Sequence, residues 1–147
     1  MFTEPRAGWR EVTVRQCRTK VDWAIEMARL LEGRYARCEK VILVCDNLNT
    51  HTEGAFYEAF EPDRARQLVR RIEFHHTPKH GSWLNVAESE LSSLTRQCVW
   101  GHRLLEIETL RSETAAWSTE LNSTQHGVDW QMKLEDARIK LKSVYPR

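Results

Sequence analysis

Short β-branched segments alternate with helical segments over residues 1–98, and this alternation constrains the fold more than any other feature of the sequence. Trp9–Arg15 alternates bulky and polar side chains, which is typical of a half-buried strand. Val41–Cys45 is an unbroken apolar run, which predicts a central strand covered on both faces. Ile72–His76 predicts a third strand, closed by Thr77 and Pro78.

The segments between and after these strands have helical periodicity. The predicted helices are Lys20–Glu32 with Thr19 as its N-cap, Phe56–Arg71 with a break near Pro62, and Leu84 to about Cys98. Strands and helices in this order predict an α/β layer structure with at least two parallel strands, joined by right-handed crossovers. Beyond Cys98 we expect a helical extension, with helices over Ile107–Leu121 and about Glu135–Val144 and a turn over Asn122–Gly127.

Composition excludes several classes of protein. The chain has 147 residues with 41% hydrophobic and 29% charged residues, which indicates one soluble globular domain rather than a disordered or membrane protein. The N-terminus lacks the apolar core of a secretory signal, so we expect a cytoplasmic protein. Four scattered cysteines without a C-x-x-C pair indicate reduced thiols, and no Cys/His spacing matches a structural zinc site.

The charge is balanced overall but uneven along the chain. A formal net charge of +1 excludes a histone-like wrapping protein, but it leaves nucleic-acid binding through a local basic face open. Basic residues outnumber acids over 64–79 and again over 131–147. Solvated helix faces would produce the same pattern, so charge alone does not decide between the two interpretations.

Two acidic positions are candidates for chemistry. Asp46 and Asn47 directly follow the apolar strand, and ligands of open α/β sheets gather at the carboxyl ends of strands; a turn cap is the alternative role. His51 follows five residues later, with a structural role equally open. In the third helix, Glu88 and Glu90 flank the apolar stripe on opposite sides, so periodicity does not choose between them. Either could be a solvated surface acid.

Two segments carry a family resemblance. D-N-L-N-T-H at 46–51 and I-E-F-H-H-T-P-K-H-G-S-W-L-N-V-A-E-S-E-L at 72–91 resemble the catalytic domain of bacterial insertion-sequence transposases of the mariner-like superfamily, also described as DDE superfamily endonucleases. The similarity continues through L-S-S-L-T-R-Q-C at 91–98 and D-A-R-I-K-L-K-S-V-Y-P at 136–146.

The resemblance implies a ribonuclease H-like fold in which three carboxylates hold two Mg²⁺ or Mn²⁺ ions. Matched position by position, the second acid falls on Asp46. The third falls on Glu88, because the family's L-N-x-x-E coincides with residues 84–88. The resemblance also implies DNA contacts for Lys79 and His80, and makes Asn47 and His51 candidates for supporting the site.

The sequence departs from the family pattern at the first acid, which the family places on an opening strand. The single Asp before Asp46 is Asp22, in the first turn of a predicted helix, where an acid stabilises the helix dipole. We therefore expect an N-terminally truncated transposase: a shortened copy, a frameshift product or a remnant. It would comprise a partial catalytic domain over 1–100, without the opening strand or strands, and a helical extension over 101–147. Without the first acid, we expect the chain alone to cleave no DNA.

The resemblance also implies partners and a location. The partners are transposon-end and target DNA, and either a second copy of the chain or a full-length transposase. The location is the nucleoid of a prokaryotic cytoplasm, with no membrane association. One alternative is a non-enzymatic DNA-binding or dimerising fragment that modulates a full-length transposase. Another is a ribonuclease H-like nuclease with a different substrate.

Overall fold

The computed structural model describes residues 1–77, 85–100, 106–124, 127–129, 131 and 133–142. The fold is mixed α/β, with small sheets and flanking helices. The strands are β1 (Phe2–Glu4), β2 (Trp9–Glu11), β3 (Val41–Cys45) and β4 (Ile72–His76). The helices are α1 (Lys20–Glu32), α2 (Gly54–Ala59), α3 (Pro62–Val69), α4 (Val86–Leu94), α5 (Ile107–Thr124) and α6 (Leu134–Leu141). A π-helical turn, Thr95–Val99, continues α4.

The strands β3 and β4 form a parallel pair, as the alternation of elements predicts. Val41 lies opposite Ile72 and Cys45 lies opposite His76. The connection between the strands consists of α2 and α3, which are separated at the predicted break because Pro62 occupies the first turn of α3. The carboxyl ends of both strands therefore lie at one edge of the sheet, where Asp46 follows β3.

The main core lies between this sheet and helices α1 to α3. Helix α1 begins as predicted at Thr19, whose hydroxyl accepts from the Asp22 amide while the Asp22 carboxylate accepts from the Thr19 amide. Leu31 and Phe56 are completely buried in the cluster that joins the three helices to the sheet. Burial of each such side chain contributes about 1.5–3 kcal/mol of hydrophobic stabilisation.

The expectation that β3 is covered on both faces is wrong for the described part of the chain. Val41 and Leu43 pack against the core, but Ile42 and Val44 on the opposite face are 66% and 56% exposed. In this part of the chain β3 also pairs with β4 alone, so its other edge is open. The apolar run of β3 places hydrophobic side chains on both faces of the strand, but the helices of the core cover only one of these faces.

The N-terminal strands form a separate antiparallel hairpin. Phe2 pairs with Glu11 and Glu4 with Trp9, around a turn in which Gly8 has a φ of 65°. The sequence does not predict β1, and the predicted strand Trp9–Arg15 is shorter than expected, because β2 ends where its three-residue partner ends. Ion pairs of the hairpin with Arg29 and Arg34 connect it to the end of α1 and the loop that follows.

The C-terminal elements pack on the hairpin. The Asn122 side chain of α5 accepts from the Arg10 amide at 2.9 Å and donates to the Arg10 carbonyl at 2.8 Å, as a neighbouring strand would. Trp117 Nε1 donates to Gln97 Oε1 in the π-helical turn at 2.6 Å. Helix α5 continues to Thr124, past its predicted end at Leu121, so residues 122–124 of the predicted turn are helical instead.

Helix α4 packs against β1. Within the described ranges, no helix has the length and apolar character needed to cross a bilayer.

Candidate functional site

Asp46 lies at the carboxyl end of β3 and is held by a histidine from the following loop. His51 Nδ1 donates to Asp46 Oδ1 at 2.6 Å. A turn in which the His51 amide donates to the Leu48 carbonyl brings the imidazole back towards the strand. The Asp46 side chain is 32% exposed, and its second carboxylate oxygen has no hydrogen-bond partner among the described residues. One oxygen is therefore fixed and the other is available to a ligand.

The histidine is itself positioned by the core. The Trp23 ring lies 5.3 Å from the His51 ring, centroid to centroid, and makes an edge contact with the buried Phe56 ring at 5.5 Å. The chain of contacts from Phe56 through Trp23 and His51 to Asp46 therefore links the carboxylate to a part of the molecule that cannot move easily. The role of Trp23 is not predictable from the sequence, since nothing in its helical spacing distinguishes it from an ordinary packing residue.

Glu88 lies in the first turn of α4, which begins at Asn85. The Asn85 side chain caps the helix by accepting from the Ala87 amide at 3.1 Å. The Glu88 side chain is half-buried and forms no ion pair or hydrogen bond with the described residues. Its carboxylate is thus not committed to a contact with the described part of the chain.

Glu90, in contrast, is committed to a structural ion pair. Glu90 Oε2 lies 3.0 Å from Arg10 Nε, and Arg10 Nη2 donates to Glu90 Oε1 at 3.4 Å. The two side chains are only 18% and 7% exposed, respectively. This contact joins α4 to β2, so the two glutamates that helical periodicity could not distinguish have different environments.

Asp22 acts as a helix cap. Its carboxylate accepts from the Thr19 hydroxyl at 2.6 Å and from Arg15 Nη1 at 2.9 Å. The hydrogen bonds from the Thr19 side chain and backbone lower the pKa of Asp22, and Arg15 adds to this effect. These contacts agree with the interpretation of Asp22 as a residue of helix stability rather than as the missing first acid.

The remaining predicted site residues are not joined to Asp46 by any described contact. Lys79 and His80 lie outside the described residues. Asn47 is exposed beside Asp46. In the part of the chain that the structure describes, no three His, Cys, Asp or Glu side chains are grouped so that they could hold a metal ion. The structure therefore brings His51 to Asp46, whereas the pairing of Asp46 with Glu88 remains a proposal.

Comparison with known protein families shows which family the chain belongs to. The model of the family described as DDE superfamily endonuclease matches residues 1–111. The chain belongs to this family. No curated protein and no solved structure matches it. Membership indicates a transposase-like nuclease function with DNA as the substrate, and nucleases of this superfamily generally depend on divalent metal ions.

The chemistry of the two acids fits such an ion. Carboxylate oxygens are the ligands that Mg²⁺ and Mn²⁺ prefer, and both Asp46 and Glu88 have oxygen atoms not engaged by described side chains. Burial, with the nearby Asp46 charge, raises the pKa of the Cys45 thiol. The thiol is therefore protonated at neutral pH when no metal is bound.

Proposed function

We propose that this chain carries the catalytic-domain part of a mariner-like transposase of the bacterial insertion-sequence type, built on a ribonuclease H-like core. In a complete site, the activity is metal-dependent cleavage of DNA strands followed by strand transfer. The observation that carries the proposal is the Asp46 carboxylate, fixed by His51 at the carboxyl end of a parallel strand with one oxygen available.

Asp46 and Glu88 are the two acids that would hold Mg²⁺ or Mn²⁺. When bound, a pair of such ions stabilises the attacking and the leaving oxygen of an in-line displacement at a phosphodiester. Among the chain's own residues, His51 keeps the Asp46 carboxylate in one orientation, and Asn47 is placed beside it. Lys79 and His80 are assigned to phosphate contacts, which position a duplex without reading its sequence.

The chain by itself supplies two of the three acids. Asp22 is engaged by Thr19 and Arg15, so it does not act as the first one. Because the members of a catalytic unit contribute non-additively, we expect no DNA cleavage above background from the isolated chain. The partial catalytic domain at 1–100 and the helical extension at 101–147 are part of the same proposal, as is the nucleoid as its location.

A second candidate function is a dimerising fragment that modulates a full-length transposase. The open edge of β3 and the exposed Ile42 and Val44 side chains favour it, since an unpaired apolar strand is a template for another chain. A concentration-dependent dimer that is abolished by Ile42→Lys would support this candidate.

The test of the main proposal is metal binding by the full chain. Electron paramagnetic resonance titration with Mn²⁺ should detect binding to the unsubstituted chain, and Asp46→Asn or Glu88→Gln should each weaken it at least tenfold. Glu90→Gln is the matched control, measured at a temperature where it remains folded, and it should bind normally. Equal binding by the Glu88→Gln variant would contradict the assignment.

A nuclease assay with DNA that carries candidate transposon ends tests the expected inactivity. Robust nicking in Mg²⁺ or Mn²⁺ that disappears in both Asp46→Ala and Glu88→Ala would show that the chain has a third ligand. Asp22→Asn would then be the first variant to examine.

A further inference from the structure

Basic residues surround the amino ends of β3 and β4, at the opposite end of the sheet from Asp46. Lys40 and Arg71 each precede one of the paired strands, and the Val41 amide donates to the Arg71 carbonyl at 2.7 Å. Arg71 Nη2 also donates to the carbonyls of Tyr35 and Cys38, at 2.5 and 2.9 Å. The loop that carries Arg37 is therefore held against the beginning of β4.

Helix α3 adds two cations to this end of the sheet. Arg66 and Arg70 lie one helical turn apart, since the Arg70 amide donates to the Arg66 carbonyl at 3.1 Å, and Arg70 directly precedes Arg71. Both arginines are exposed to solvent. We call the whole set the amino-end patch: Arg37, Lys40, Arg66, Arg70 and Arg71.

Among the described residues, no carboxylate forms an ion pair with the amino-end patch. In the described chain, arginines elsewhere form ion pairs with acids, including Arg10, Arg15, Arg29, Arg34, Arg64 and Arg111. No member of the patch forms an ion pair with a carboxylate of the described residues, and Arg71 contacts carbonyls instead. Glu39, Asp63 and Glu73 are the nearest acids in sequence. None of them forms an ion pair with the patch in the described structure, and Glu73 contacts His75 instead. The patch thus keeps a net positive charge.

We propose that the amino-end patch binds the phosphate backbone of duplex DNA at a distance from the candidate site. This inference rests on the proposed function, in which DNA is the substrate. From Lys40 to Asp46 the chain follows β3, and a strand rises about 3.3 Å per residue, so the two ends lie about 20 Å apart. A duplex advances 3.4 Å per base pair, so the patch would meet phosphates about six base pairs from the acids.

The salt dependence of binding distinguishes such contacts from other effects. Each neutralised phosphate of B-DNA contributes about 0.9 to the slope of log K against log salt concentration. Arg66→Gln/Arg70→Gln should therefore reduce the slope by about 2 if both residues contact phosphates. Between 50 and 200 mM NaCl, the affinity of the unsubstituted chain should then fall about tenfold more than that of the double variant.

The experiment uses the full chain, a fluorescein-labelled duplex of about 30 base pairs and anisotropy titrations across this salt range. The matched control is Arg6→Gln/Arg18→Gln, which removes the same charge from exposed residues without an ion pair in the described structure. Thermal melts verify that both variants are folded. The expected result is a smaller slope for the patch variant and a nearly unchanged slope for the control.

Four other outcomes would overturn the inference. Equal changes of the salt slope in both variants would show that the DNA is attracted by the net charge of the chain alone. Normal DNA binding by both variants would exclude the amino-end patch while leaving the proposed function intact. No DNA binding by the unsubstituted chain would contradict the DNA-binding part of the proposed function as well. Finally, poly-glutamate is titrated in parallel, and tighter, patch-dependent binding of it than of DNA would assign the surface to an acidic protein.

Discussion

Substitution of Glu90 should destabilise the protein, whereas the same substitution of Glu88 should not. Glu90→Gln removes a carboxylate that contacts the guanidinium of Arg10 through both of its oxygens. Glu88→Gln changes a half-buried carboxylate that no described side chain contacts. The two residues lie in the same helix, and the substitutions are chemically identical, so each variant controls for the other.

The expected magnitude follows from the burial of the ion pair. Exposed ion pairs contribute about 0–1 kcal/mol, whereas removing one partner of a fully buried pair costs about 3–5 kcal/mol. Arg10 and Glu90 are mostly but not completely buried, so we expect Glu90→Gln to cost about 2 kcal/mol. For a domain of this length, that corresponds to about 4–8 °C in Tm. Glu88→Gln should stay within about 0.5 kcal/mol of the unsubstituted chain.

Thermal melts and urea titrations followed by circular dichroism measure both values. A cycle with Arg10→Gln and the double variant isolates the pair, and the coupling free energy should exceed about 0.5 kcal/mol because the side chains are in direct contact. Equal destabilisation of the protein by Glu88→Gln and Glu90→Gln would refute the different roles of the two residues. A coupling free energy of zero would refute the structural role of the ion pair.

Three further predictions concern the core, the pH dependence and the metal site. Phe56→Ala should cost about 3–5 kcal/mol in a urea titration, because the ring is completely buried; a loss below 1 kcal/mol would contradict the core. Burial opposes ionisation of Glu26, but hydrogen bonds and charges from Arg15 and Arg29 outweigh it and lower the pKa of Glu26. Stability from Glu26 is therefore complete above the unfolded pKa of about 4.5 and is lost as the pH falls through the lower folded pKa. Glu26→Gln should reduce this loss of stability at acid pH, as measured by urea titrations between pH 3 and 6. An unchanged dependence of the unfolding free energy on pH would exclude the contribution of Glu26. His51→Ala should weaken Mn²⁺ binding about tenfold, since residues that orient a ligand contribute this much; unchanged binding would assign His51 a purely structural role.

The parts of the fold that the sequence predicts well have local signals. Thr19 and Asp22 form a capping box within four residues, and Pro62 separates two helices by its own geometry. The parallel pairing of β3 with β4 follows from the intervening helices. In contrast, β1 has three residues, too few for a period to be recognised. The exposure of Ile42 and Val44 was also not predictable, because an apolar run does not reveal how many of its faces other elements cover.

The candidate site shows the same division between local and distant information. Asp46 and His51 are five residues apart, and both are recognisable as candidates from the sequence. Trp23, which packs on the His51 ring, comes from a different element and has no local signal. Its position beside the histidine is set by tertiary packing against Phe56.

The two glutamates of α4 show most clearly that local sequence does not reveal contacts between distant residues. Periodicity places Glu88 and Glu90 symmetrically about the apolar stripe, and the contact that separates them is with Arg10, 80 residues away in sequence. The family resemblance selects Glu88, and the structure independently engages Glu90 in an ion pair. An acid already paired with a buried arginine can bind a metal only by giving up that contact, which costs stability. Glu88 has no such contact among the described residues, so a cation bound there would break no described interaction. The free energy of that ion pair thus favours the same assignment as the sequence motif.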